Sequence, residues 1–72
     1  MDRVTVGSSS IAAIGYASAS RVLEVEYCNG GVYWYLDVPP DEHAALMDAP
    51  SKGRHVNLNI KPRYSFERVG AR

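Results

Sequence analysis

The segment Tyr27-Cys28-Asn29-Gly30-Gly31-Val32-Tyr33-Trp34-Tyr35 determines how this chain folds. An Asn-Gly pair between two apolar runs is the strongest short-range indication of a β-hairpin. Residues 21–28, before the turn, alternate aliphatic or aromatic side chains with acidic ones, which is typical of a strand with one polar face. Residues 32–38, after it, are rich in β-branched and aromatic side chains, which favour a second strand.

The length of the loop decides which side chains face the core, because a slip of one residue turns every side chain to the other face. A two-residue loop at 29–30 places Val25 opposite Trp34, so that Trp34 lies in the core and the tyrosines on the polar face. A three-residue loop at 28–30, with its glycine in the left-handed region, places Val25 opposite Tyr33 and Trp34 on the face of the glutamates. The apolar pattern alone favours the two-residue loop, since it gathers more aliphatic side chains on one side.

Two further strands are predicted before the hairpin. Residues 1–7 contain valines that alternate with polar residues, which indicates a short edge strand. Residues 11–16 are compatible with a helix or a strand, and Gly15 favours the strand because glycine weakens a helix interior.

Two short helices are predicted after the hairpin. Pro39-Pro40 ends the strand, and the second of these prolines suits the first turn of a helix that stops before Pro50. Ser51 is a candidate N-cap for a second helix that runs through Ile60. Residues 63–69 alternate again and are predicted to form a last strand or an extended tail.

These patterns predict one α+β domain over residues 1–72, with a small antiparallel sheet of three to four strands and one or two short helices packed on one face. A chain of 72 residues is a single domain that buries only roughly 60% of its unfolded surface. Its single cysteine cannot form an intrachain disulfide and favours a reducing, cytoplasmic location. The chain lacks a signal-peptide pattern and any run of roughly 20 apolar residues, so no membrane span is expected.

The charges are unevenly distributed along a chain whose formal net charge is zero. Residues 1–50 carry a net charge of −5, and residues 51–72 carry +5. Such an asymmetry indicates either an anion-binding segment or two halves that neutralise each other when the chain folds.

An ordered set of residues over about residues 4–69 resembles the KTSC domain. The matching residues are Ser9, Ile14-Gly15-Tyr16, Leu23, Val25, Tyr27, Val32-Tyr33, Tyr35, Val38-Pro39, Leu46, Ala49, Ser51, Gly53, Asn57, Ile60 and Tyr64. Proteins of this family are small bacterial or phage chains, and the domain also occurs at the C-terminus of some lysyl-tRNA synthetases. RNA binding has been suggested for the family, so the resemblance implies an RNA-binding role for this chain.

The resemblance also bears on the register of the hairpin. The two tyrosines of the central Tyr-x-Tyr recur in the family, while the residue between them is often polar. This favours Tyr33 and Tyr35 in the core, with Trp34 exposed as a departure from the family pattern.

The candidate nucleic-acid site is the basic segment that follows Pro50. Its members are Lys52, Arg54, His55, Asn57, Lys61 and Arg63. A helix N-terminus at Ser51 and Gly53 can hold a phosphate through backbone N–H groups. The alternative is a solvated basic face that pairs with aspartates of the acidic half. The predicted function is a binding module for tRNA or single-stranded RNA.

The hairpin supports a second hypothesis, a protein-interaction or regulatory module that uses Trp34. Its tyrosines could form a stacking platform, yet the neighbouring glutamates would repel phosphate, so a structural role is favoured for them. No catalytic group, metal or cofactor is predicted. His43 and His55 are twelve residues apart, which matches no metal motif, and Cys28 has no base beside it in the sequence.

Overall fold

Five antiparallel strands follow one another in chain order across the sheet of a computed structural model that describes residues 3–70. The strands are β1 (Arg3–Thr5), β2 (Ile11–Ala17), β3 (Val22–Tyr27), β4 (Val32–Tyr35) and β5 (Phe66–Gly70). Helix α1 (Pro40–Asp48), helix α2 (Lys52–His55) and a π-helical segment (Val56–Ile60) connect β4 to β5. Residues 1–2 of the predicted first strand lie outside the described residues.

The predicted number of three to four strands is wrong, because both β1 and β5 join the sheet. Arg3 of β1 pairs with Gly15 of β2, and Phe66 of β5 pairs with Tyr35 of β4. Residues of β1 are all exposed, and those of β5 are exposed up to Val69. Their strand conformation therefore depends on pairing with a neighbour rather than on an apolar pattern of their own.

The hairpin closes through a three-residue loop. The N–H group of Tyr27 donates to the carbonyl oxygen of Gly31 at 2.8 Å, and that of Gly30 donates to the carbonyl oxygen of Tyr27 at 2.9 Å. Gly30 has a φ of 97°, the left-handed conformation that glycine adopts without steric cost. This arrangement is the one expected for a turn followed by a glycine bulge.

The three-residue loop sets the register of the hairpin. Leu23 pairs with Tyr35, Val25 pairs with Tyr33, and Trp34 lies opposite a glutamate. The two-residue loop favoured by the apolar pattern is wrong, and the register implied by the family resemblance is confirmed. The apolar pattern did not predict this register, because it treats valine and leucine as core residues in preference to tyrosine.

The two predicted helices are confirmed, each with the end signal that the sequence shows. Pro40 stands in the first turn of α1, which ends at Asp48, two residues before Pro50. The hydroxyl oxygen of Ser51 accepts a hydrogen bond from the N–H group of Arg54 at 3.3 Å and so caps α2. The second helix continues to Ile60 as predicted, although its last five residues are π-helical.

The core lies between the helices and one face of the sheet. The buried side chains that form it are Ile11, Ile14, Leu23, Val25, Tyr35, Val38, Leu46, Val56 and Ile60. Helix α1 contributes Leu46, and the π-helical segment contributes Val56 and Ile60. The helices therefore cover the face of the sheet that carries Tyr35 and leave the face that carries Trp34 uncovered.

Gly53 marks a close contact between α2 and the loop before β2. A Cβ atom at this position would collide with the hydroxyl oxygen of Ser10. The same loop is held by Ser8, whose hydroxyl oxygen accepts from the N–H groups of Ser10 at 3.3 Å and Ile11 at 3.2 Å. This contact explains why a residue that costs a helix about 1 kcal/mol relative to alanine is present in α2.

Candidate nucleic-acid interface

A cavity of about 320 Å³ opens on the helix-covered side of the sheet. Its lining residues are Tyr27, Asn29, Tyr33, Tyr35, Lys61 and Phe66. We call it the aromatic cavity. Its volume is at the lower end of the roughly 300–1,000 Å³ that is usual for ligand sites.

The rings of the aromatic cavity are arranged edge to face or tilted. The centroids of Tyr27 and Tyr33 are 5.5 Å apart with an interplanar angle of 85°, and Phe66 lies 5.8 Å from both Tyr33 and Tyr35. Tyr35 is buried and forms the floor, whereas Phe66 is 55% exposed and forms part of the rim. Ring surface is therefore accessible to a planar ligand from solvent.

Two tyrosine hydroxyl groups meet in the aromatic cavity. The oxygen atoms of Tyr27 and Tyr35 are 2.9 Å apart, so one hydroxyl donates to the other. Burial raises the pKa of Tyr27, and its hydrogen bond with Tyr35 adds to this rise. Burial also raises the pKa of Tyr35 and outweighs the opposing effect of the Tyr27 hydroxyl. Both groups thus stay neutral at physiological pH, and one hydroxyl hydrogen is left to donate elsewhere.

A polar group and a cation line the aromatic cavity, and a second cation lies on the same face of the sheet. The side-chain oxygen of Asn29 accepts from the N–H group of Gly31 at 2.9 Å, which leaves its amide nitrogen available as a donor. The ammonium nitrogen of Lys61 lies 5.5 Å from the ring centroid of Tyr27, within the range of a cation–π interaction. Arg68 pairs with Tyr33 across β4 and β5 and so shares its face of the sheet.

The basic residues predicted from the sequence do not form one patch. The Nε2 atom of His55 lies 2.8 Å from a carboxylate oxygen of Glu42, and the other oxygen lies 3.4 Å from the guanidinium of Arg63 and from the hydroxyl of Tyr64. These contacts join α1, α2 and the segment before β5. The acidic partner is thus a glutamate of α1, where the alternative interpretation expected aspartates.

The other residues of the predicted basic segment lie at three separate places in the structure. The ammonium of Lys52 donates to the carbonyl oxygen of Ala49 at 2.6 Å. Arg54 and Asn57 are exposed on the helical segment, and Arg54 lines an open depression of about 390 Å³. Lys61 alone of the six lines the aromatic cavity.

The opposite face of the sheet, which we call the open face, carries a row of residues across the strands in which three of the five are charged. The register places Arg3, Gly15, Glu24, Trp34 and Glu67 opposite one another in strand order. The Nε atom of Arg3 donates to Glu24, and the indole nitrogen of Trp34 donates to the other oxygen of Glu24 at 2.7 Å. Because Gly15 has no side chain, the side chain of Arg3 can extend over β2 to reach Glu24.

Two carboxylates of the open face are nearly buried. Glu24 and Glu26 are each 8% exposed, and Arg3 also donates to Glu26 at 2.9 Å. Burial acts to raise the pKa of Glu24, but the hydrogen bonds from Trp34 and Arg3 outweigh it, so that this pKa is lowered. Trp34 is half-buried beside a groove of about 480 Å³, which Arg3, both glutamates, Val32 and Val69 also line.

The remaining sequence candidates have ordinary surroundings. The ring of His43 stacks on Tyr16 with centroids 4.4 Å apart, and burial lowers its pKa. Over residues 3–70 no cluster of three or more potential metal ligands occurs. Within the same range no helix is long and apolar enough to cross a membrane.

Sequence reasoning missed most of the aromatic cavity. It proposed Lys61 but assigned Tyr33 and Tyr35 to a structural role and gave no binding role to Asn29, Phe66 or Arg68. The tyrosines on one face of the hairpin were the available signal. The contribution of Phe66 depends on β5 pairing with β4, which the sequence left open.

Comparisons with known proteins identify the family of this fold. The model of the KTSC domain matches residues 7–64, and the chain therefore belongs to the KTSC domain family. A crystal structure of a KTSC domain protein from Yersinia pestis superposes with a TM-score of 0.92 and 39% identity, covering 96% of this chain and 97% of that one.

Two kinds of relative share this sequence. An uncharacterised protein of Stutzerimonas stutzeri is 44% identical over 70 residues, which are 96% of this chain and 99% of the relative. A lysine–tRNA ligase of Nostoc punctiforme is 39% identical over 61 residues, which are 85% of this chain but 11% of the ligase. The match to the ligase is confined to a small part of it, and no catalytic family is indicated for this chain.

Proposed function

We propose that this protein is a nonenzymatic RNA-binding module that holds single-stranded RNA at the aromatic cavity and the cations beside it. The observation that supports the proposal best is the position of Lys61, whose ammonium lies at the edge of the cavity, 5.5 Å from the ring centroid of Tyr27. Proteins that bind single strands combine aromatic surfaces, on which bases stack, with cations that follow the phosphate backbone.

The distribution of charge over the sheet supports the same proposal. Lys61 and Arg68 lie on the side of the aromatic cavity, whereas the carboxylates of Glu24, Glu26 and Glu67 belong to the open face. A phosphate backbone can therefore approach the cavity without meeting these glutamates. In addition, a similar segment is part of lysine–tRNA ligases, whose substrate is tRNA.

The proposal predicts salt-dependent binding that requires Lys61. We expect a fluorescently labelled oligouridylate of about eight nucleotides to bind at about 50 mM salt and to bind more weakly at about 200 mM, because counterions are released from the phosphates. The slope of log affinity against log salt is negative, and Lys61→Gln should make it shallower by about 0.7, the value for one phosphate contact on a single strand. Anisotropy titrations at several salt concentrations measure both quantities.

Lys52→Gln is the matched control for this experiment, because it makes the same charge change at an ammonium that donates to Ala49. We expect it to leave the slope unchanged. If the slope becomes shallower with Lys52→Gln but not with Lys61→Gln, the phosphate contact lies at the start of α2 rather than at the aromatic cavity. Absence of binding by the wild-type protein at low salt would refute RNA binding.

A second candidate function is the binding of a cationic segment of a partner protein to the open face. The supporting observation is the groove beside Trp34, in which the guanidinium of Arg3 already contacts two carboxylates. Glu67, opposite Trp34 on β5, adds a further exposed negative charge. An aromatic ring next to carboxylates is suited to lysine or arginine side chains.

This second candidate predicts a saturable change in the fluorescence of Trp34, the chain's single tryptophan, on titration with an arginine-rich peptide. Glu67→Gln should weaken binding by about two- to fivefold, the range for an exposed ion pair. Asp48→Asn removes the same charge from an exposed position of α1, away from the open face, and should leave the affinity unchanged. Equal effects of the two substitutions would indicate attraction by net charge, and the open face would lose its support.

A further inference from the structure

We propose that the aromatic cavity receives one unpaired nucleobase, stacked on Phe66 and in edge contact with Tyr33, while the adjoining phosphates lie against Lys61 and Arg68. This inference rests on the proposed function and specifies which part of the RNA the cavity holds. It distinguishes insertion of a base from attraction of the backbone alone.

The shape of the aromatic cavity suits a single planar ring. Its volume of about 320 Å³ is small, its floor is the buried Tyr35, and the rings of Phe66, Tyr33 and Tyr27 form part of its lining. A nucleobase is similar in size to these side chains, and it can stack on one ring and meet the tilted neighbouring rings with its edge. A base within a duplex is stacked and paired, so only an unpaired base can enter such a cavity.

The polar groups in the cavity suit the edge of a base. The amide nitrogen of Asn29 has hydrogen atoms left to donate, because the side-chain oxygen is oriented by the N–H group of Gly31. The hydroxyl pair of Tyr27 and Tyr35 supplies one further donor and retains acceptor capacity. Carbonyl oxygens and ring nitrogens of a base can meet these donors, whereas an aliphatic ligand would leave them without a partner.

Two cations lie close to the aromatic rings, where they can contact the phosphates that adjoin an inserted base. Lys61 lies over the ring of Tyr27. Arg68 lies on the side of β5, and its guanidinium is 3.9 Å from where a Cβ atom of Gly31 would stand, close to the ring of Tyr33. The base would therefore occupy the cavity between them, with a phosphate near each cation.

The decisive experiment removes the bases and keeps the phosphates. We compare an oligouridylate of about eight nucleotides with a fully abasic RNA of the same length, by anisotropy at about 50 mM salt. The wild-type protein should bind the abasic strand about five- to 150-fold more weakly, which corresponds to the stacking of one base on aromatic side chains. No residue of the protein is altered in this comparison.

A pair of variants locates the effect on the protein. Phe66→Leu should weaken binding of the oligouridylate by about fivefold or more and leave binding of the abasic strand unchanged. Because Phe66 is 55% exposed, the substitution should preserve the fold, which a thermal melt verifies. Leu58→Ala is the control, since it removes an exposed apolar side chain that does not line the aromatic cavity, and it should change neither affinity.

The outcomes separate this inference from the proposed function. If the wild-type protein binds neither strand at low salt, RNA binding itself is refuted and base insertion with it. If it binds both strands equally, RNA binding stands and base insertion is overturned. Base insertion is likewise overturned if Phe66→Leu weakens the binding of both strands equally or of neither strand.

Discussion

Replacement of Leu46 by alanine is expected to lower the free energy of unfolding by about 2–5 kcal/mol. Leu46 is the fully buried side chain of α1, and its neighbours on the helix are half-buried or exposed. The truncation leaves a cavity between α1 and the sheet, which close-packed neighbours fill only in part. A domain of this size has a total stability of roughly 4–11 kcal/mol, so much of it would be lost.

The effect of Leu46→Ala should extend beyond the core, because α1 also carries Glu42, the shared partner of His55, Arg63 and Tyr64. Urea denaturation followed by circular dichroism measures the loss. Leu58→Ala is the matched control, since Leu58 is 60% exposed, and it should change stability by about 0.5 kcal/mol or less. Similar losses at both positions would contradict the assignment of Leu46 as the anchor of α1.

Arg3→Ala is expected to destabilise the protein by about 1–3 kcal/mol near neutral pH. The guanidinium donates to both Glu24 and Glu26, and these carboxylates are nearly buried. Removal of one partner from a buried ion pair costs about 3–5 kcal/mol. The side chain of Arg3 is 37% exposed, so solvent screening reduces the expected cost.

The loss in Arg3→Ala should depend on pH, because the pKa of Glu24 lies below its ordinary value of 4.5 in the folded protein. A carboxyl whose folded pKa is lowered contributes stability above its unfolded pKa, and this contribution disappears as the pH falls through the folded pKa. The difference between wild type and variant should therefore be largest near neutral pH and should shrink below about pH 4.

Denaturation at about pH 7 and about pH 3.5 tests this prediction. Arg54→Ala serves as the control, because Arg54 is an exposed arginine on α2, and it should have a small effect at both values. A loss for Arg3→Ala that is the same at both pH values would show that the ion pairs with Glu24 and Glu26 are not its cause.

Local signals in the sequence were sufficient for most elements. The Asn-Gly turn, the proline at the start of α1 and the serine that caps α2 each act within a few residues, so their consequences can be predicted without tertiary contacts. The register of the hairpin could not be predicted from pattern. It depends on Tyr35 as a core residue, and a phenol is accommodated there because its hydroxyl bonds to that of Tyr27.

The candidate site was harder to predict because its residues come from distant parts of the chain. Asn29 belongs to the hairpin loop, Lys61 follows the π-helical segment, and Phe66 begins β5. Conversely, basic residues that are neighbours in sequence separate in space, because the turns of α2 and the π-helical segment direct them differently. His55 thus contacts Glu42, and Lys61 contacts the ring of Tyr27.

The outer strand β5 bears on how this protein behaves when it is concentrated. An exposed strand edge is a template on which a second copy can pair and extend the sheet. In a symmetric antiparallel pair that continues the sheet, the central residue faces itself. Centring on Glu67 opposes two carboxylates, and centring on Arg68 opposes two guanidinium groups, both of which are unfavourable. Adjacent opposite charges on β5 thereby disfavour these two registers of edge-to-edge pairing.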